Sequence, residues 1–211
     1  EKNPRVRATV IQMGSWNLER WPNALPILRK SIADPDWQVR LASVVALRKV
    51  NTPESLDIAM KVLDSPMVPS IDFSLWSFLR ESEDQWSSQL DSNAWSWTKS
   101  GPSLLFAAKA SKGTHLRNWL IARFSDLQSD DATRLGLLDA LALSADDRQA
   151  RELLKLVVKL LQANKIDQSS ASALLDRIVE NTSKRNIKPI EVASALGDWW
   201  KELSVDSKLS D

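Results

Sequence analysis

Apolar side chains recur at three- and four-residue steps along nearly the whole chain, and two-residue alternation is hard to find. That spacing places one apolar stripe on each of a series of helices and predicts an all-α protein of about a dozen helices. Residues 34–50 are the clearest case. Val39, Ala42, Ala46 and Leu47 fall on one face, with Val45 beside them, and the two alanines are small enough for a neighbouring helix to come close. Asp34 is placed to cap this helix, and Pro35 falls at the first helical position, where its missing N–H costs nothing. Asn51-Thr52-Pro53 closes it, with Thr52 capping the next helix.

The same reading places helices at 21–32 (Leu25, Leu28, Ile32), 53–63 (Leu56, Ala59, Met60, Leu63), 67–81 (Ile71, Leu75, Phe78, Leu79) and 85–90. Residues 91–101 read as a polar, irregular loop holding Trp95 and Trp97. Further helices are predicted at 102–110, 115–124, 131–143, 146–163, 168–180 and 188–203. Loops fall at 111–113, 125–130, 164–167 and 181–187, and a frayed tail begins at 204.

A repeat lies under this order. Asn3-Pro4 followed by Val6-Arg7 is echoed by Asp34-Pro35 followed by Val39-Arg40, with the Val-Arg pairs 33 residues apart. Pro4, Pro35 and Pro66 stand 31 residues apart, and Asp64-Ser65-Pro66 reads as a third start signal. One helical hairpin cannot bury its own apolar face, so a period of this length predicts stacked hairpins, a right-handed α-solenoid. The punctuation is clear over 1–112 and lost over 113–211, which is expected to continue or cap the same single domain. Arg7 and Arg40 share one repeat position. They are expected to form a structural ladder with carbonyls or with Asp34 and Asp64 of the adjacent repeat, in preference to a charged ridge for a partner.

These residues resemble the HEAT repeat family, the likeness resting on Pro4/Val6/Arg7 and Pro35/Val39/Arg40/Ala42/Ala46/Leu47. A narrower likeness covers about residues 34 to 110: Ala59 to Pro66, then Ile71 to Trp76, Leu79-Arg80-Glu81, Trp86 and Leu104 to Ala107. It is similar to the HEAT segment of planctomycete and verrucomicrobial proteins that join a sugar-dehydrogenase-like β-propeller to a c-type haem domain. The resemblance implies an electron-transfer parent that is periplasmic or otherwise exported. This chain has neither propeller blades nor Cys-x-x-Cys-His, so neither chemistry carries over.

Composition narrows the function classes. With no cysteine among 211 residues, the chain has no disulfide, thiolate metal site, cysteine nucleophile or covalent haem attachment of its own. A net charge of +1 argues against a dedicated nucleic-acid surface. No apolar run is long enough to span a membrane. A start at Glu1-Lys2-Asn3-Pro4, without methionine, suggests a piece of a longer polypeptide.

Ten tryptophans are many for this length. Trp37, Trp76, Trp86 and Trp119 sit on helical faces and are expected in the core. Trp95, Trp97 and Trp200 are the candidate partner contacts, because indoles are enriched at binding hot spots. His115 alone cannot build a metal site and reads as a surface residue. The carboxylate groups Asp130-Asp131, Asp146-Asp147 and Glu81/Glu83/Asp84 fall at predicted helix starts or in loops, where they suit the dipole and cap amides. The basic clusters Lys184-Arg185-Lys188 and Lys109/Lys112/Arg117/Arg123 read as solvated faces. No catalytic, cofactor or metal site is expected. The reading is a non-enzymatic interaction or scaffold module whose partner is protein, with a HEAT-like DNA glycosylase or a generic peptide-binding scaffold as the alternatives. The glycosylase requires Arg7, Arg40, Lys61 and Arg117 to converge on one concave surface.

Overall fold

A computed structural model describes residues 2–22, 24–92, 95–124 and 130–184, and among these residues there are eleven α-helices and no strand. The helices are α1 (Pro4–Ser15), α2 (Ala24–Ser31), α3 (Trp37–Val50), α4 (Pro53–Met60), α5 (Pro69–Glu81), α6 (Glu83–Ser87), α7 (Gly101–Ala110), α8 (His115–Arg123), α9 (Asp131–Ser144), α10 (Asp147–Gln162) and α11 (Gln168–Lys184). The all-α, HEAT-like expectation holds. Chain contacts divide it into two compact units, 1–116 and 117–211.

In the first unit α1, α3, α5 and α7 begin at residues 4, 37, 69 and 101, a step of 32 or 33. Each packs on the next: α1 on α3, α3 on α5, α5 on α7. The shorter α2 and α4 pack on α3 and on each other. Helix α3 is therefore packed on by α1, α2, α4 and α5, with Val39, Val44, Ala46 and Leu47 fully buried. Its small residues keep the neighbours close: the Ser43 hydroxyl donates to the Val39 carbonyl at 2.8 Å and lies 2.7 Å from the Ser31 hydroxyl of α2.

The caps correct the sequence reading in two places. Asp36, not Asp34, caps α3, accepting the Gln38 N–H, so the helix starts at Trp37 and Pro35 lies ahead of it. Asp34 makes a tight turn instead, its carboxylate accepting the Asp36 N–H at 2.9 Å. Likewise Pro66 opens no helix. Residues Lys61–Asp64 extend α4 as a 3-10 turn, and α5 begins at Pro69 with no side-chain cap at Val68. Other caps fall on the expected residues: Asn3 for α1, and Thr52 with Ser55 as a reciprocal capping box for α4. α2 starts at Ala24, three residues past Trp21. Gly14 has a packing role there, since a Cβ on it would meet the Trp21 ring at 2.5 Å.

In the second unit α11 packs against α9 and α10. Asp146 and Gln149 form a capping box for α10, and Leu153, Val157 and Leu160 bury its apolar stripe. That helix ends in a left-handed Asn164, while the Lys165 N–H reaches back to the Leu160 carbonyl at 2.8 Å. α11 runs to Lys184, four residues beyond the expected end at 180. The helix read at 188–203, with Trp199 and Trp200, lies outside the described residues.

Candidate interaction surface

The arginine ladder can be traced atom by atom. Arg7 holds the Asp34 carboxylate with both Nε (2.9 Å) and an Nη (2.8 Å), and its other Nη donates to the Lys2 carbonyl five residues back. Arg40, one repeat later, donates to the Pro35 carbonyl five residues back at 3.0 Å, to the Asp34 carbonyl at 2.8 Å, and forward to the Pro66 carbonyl at 2.8 Å. Each guanidinium thus ties the turn before its own helix to the turn before the next. Only Arg can do this, since five donors in a rigid fork must reach acceptors on two sides. Asp64 is exposed and is not the group Arg40 takes. Sequence reasoning missed a third case: buried Arg117 donates to the Ser144 carbonyl 27 residues on, the forward reach of Arg7, from a helix without the proline and Val-Arg punctuation.

Electrostatics follow the ladder. The Arg7 guanidinium holds the Asp34 carboxyl below the ordinary aspartate value of 3.8, helped by the Asp36 N–H and partly opposed by burial. The Asp130 and Asp167 carboxyls are lowered as well, by the Thr133 and Ser170 N–H groups they cap. Among the grouped carboxylates, Asp130 and Asp146 are helix caps and Glu81 pairs with Arg48. Buried Glu83 accepts the Lys112 and Gly113 N–H groups at 2.9 and 2.8 Å and the Ser111 hydroxyl. Glu81 closes α5, Glu83 opens α6, and Asp130 and Asp146 precede α9 and α10. No cluster of three or more metal-ligating side chains occurs among the described residues, and His115 is exposed at the start of α8.

The tryptophan reading needs correction. Trp95 and Trp97 are only 2 % exposed, so neither offers a ring to a partner. Trp97 meets Trp86 edge-on with centroids 5.5 Å apart, and Trp95 lies 6.3 Å from Trp97 at a tilt. The polar residues that suggested a loose loop are what pin it. The Asp57 carboxylate of α4 accepts the Ser96 N–H and hydroxyl, each at 2.7 Å, and the Trp97 N–H at 3.3 Å. The segment is two short 3-10 turns, Leu90–Ser92 and Ser96–Lys99, with the indoles turned inward. Trp200 lies outside the described residues. Trp86 is buried as expected, whereas Trp37 is 42 % exposed.

The surface carries a different aromatic group. On α5, Phe73 is 66 % exposed and stacks on half-buried Trp76, with centroids 6.1 Å apart, while the Arg80 guanidinium sits 4.2 Å over the Trp76 ring. The i, i+3, i+7 spacing that joins them was legible, but it reads equally as core. Arg7, Arg40 and Arg117 are engaged within the protein, which removes three of the four cations a glycosylase groove would need. No helix among the described residues is long and apolar enough to cross a membrane.

Residues 1–71 match the HEAT repeat family, which covers α1 to α4 and the start of α5. No curated protein and no solved structure matches the chain.

Proposed function

We propose that the chain is a non-enzymatic protein-docking module, a stack of helix pairs that holds neighbouring domains of a larger polypeptide at a fixed spacing. HEAT repeats are generally protein-interaction scaffold modules. One observation carries the reading for this chain. The buried charged side chains Arg40, Glu83 and Arg117 are occupied in fastening one turn to another, while the Phe73–Trp76–Arg80 stack is left on the surface. Aromatic rings with an arginine over them are the composition of a binding hot spot.

The resemblance to proteins joining a β-propeller dehydrogenase to a cytochrome gives the domains concerned: two redox domains, in an exported parent. Titration calorimetry of the chain against each flanking segment of its parent polypeptide tests this. Saturable heat with at least one segment, weakened at least tenfold by Phe73→Ala combined with Trp76→Ala, is the expected result. Absence of heat with every flanking segment overturns it.

A further inference from the structure

The first helix carries an apolar stripe with nothing on it. Val6, Val10 and Met13 are 44, 58 and 57 % exposed, and they lie on one face of α1. That face points roughly opposite to the buried one of Ala8, Ile11 and Ser15. Ser15 looks toward α3, since the Lys49 ammonium reaches its hydroxyl at 3.4 Å.

The repeat says what the bare stripe is equivalent to. Adding 33 to Val6, Val10 and Met13 gives Val39, Ser43 and Ala46, all fully buried on α3. That face is turned to the preceding helix pair, as the Ser43–Ser31 hydroxyl contact shows. A further step of 32 gives Ile71, Leu75 and Phe78, buried on α5, which packs on α3. At two successive positions this face is thus covered by the previous pair, and at α1 it is bare and more apolar than on α3. A second copy of the chain is a poor occupant. Setting this stripe against its own counterpart in a second copy would bring exposed Lys2 and Arg5 toward their equivalents with no acidic residue on α1 to offset them, Arg7 being already paired with Asp34.

We infer that the Val6–Val10–Met13 face docks a further helix pair of the same repeat kind. This rests on the docking-module reading, in which apolar helix faces left on the surface take protein partners. Its test needs no flanking domain, so the two fail separately. A second copy of residues 1–33 is placed ahead of Glu1, preserving the 33-residue step from α1 to α3. The duplicated Ala8, Ile11 and Ser15 then face the bare stripe.

The thermal midpoint is expected to rise by several degrees over the unextended chain, and amide exchange in the original α1 to slow at least tenfold. Val10→Asp in the original α1 is expected to abolish both gains. In the unextended chain it should shift the midpoint little. An extension that changes neither midpoint nor exchange overturns the inference. So does a gain that survives Val10→Asp, or a concentration-dependent dimer of the unextended chain that Val10→Asp dissolves, which would make a second copy the occupant.

Discussion

Arg40 is the residue on which the neighbouring repeats depend most. It is 4 % exposed and satisfies three backbone carbonyls, two before its own helix and one before the next. Arg40→Met keeps the apolar stem but orphans those acceptors, and should cost about 2–4 kcal/mol, read as a lower urea midpoint at unchanged slope. Arg7→Met removes a bidentate pair that keeps more solvent contact, its side chains 25 and 12 % exposed, and should cost less, about 1–2 kcal/mol. Equal losses would contradict this ordering. Asp34 gives a pH signature. Its folded pKa lies below the unfolded value, so its ionised form favours the fold. That contribution is complete above the unfolded value and is lost as pH falls through the folded one. Stability should therefore drop below about pH 4, and Asp34→Asn should flatten that acid limb relative to the parent chain. The Val-Arg spacing made Arg7 and Arg40 legible. Arg117 was not, because its role lies in a reach to the Ser144 carbonyl that no motif marks.

Helix existence was legible across the described residues, because a 3.6-residue period survives where cap and proline signals fade. Starts were less so. Asp34-Pro35 and Asp64-Ser65-Pro66 look like caps, but in each case the chain makes one more turn before the helix begins, at Trp37 and at Pro69. The segment 91–101 shows why its site was misread. Serines and threonine signal solvent, yet Ser96 is held by Asp57 and the indoles beside it fill the space near Trp86. That partner lies 39 residues away, beyond any local pattern. Trp97→Ala should therefore lower stability by about 3–5 kcal/mol, as expected for a buried indole. Trp16→Ala, at 70 % exposure, should fall within about 0.5 kcal/mol of the parent, both by urea unfolding. Asp57→Ala should expose the segment, seen as faster amide exchange at Ser96 and Trp97 with the rest of the unit protected.

At the scale of the molecule, the helix starts of the first unit at 4, 37, 69 and 101 keep a step of 32 or 33 residues although Pro35 and Pro66 fall short of them. The repeat there is held by packing and by long-reach polar groups more than by a sequence motif. Those polar groups point inward, and the surface left over is apolar and aromatic at α1 and α5. Docking through these helix faces is the central claim. Hydrogen–deuterium exchange mapping of the chain, alone and saturated with its flanking segments, tests it most directly. The expected result is new protection confined to α1 and to the Phe73–Arg80 stretch of α5, with the Trp95–Trp97 segment unchanged. Saturation that leaves α1 and α5 exchanging as in the free chain would contradict it.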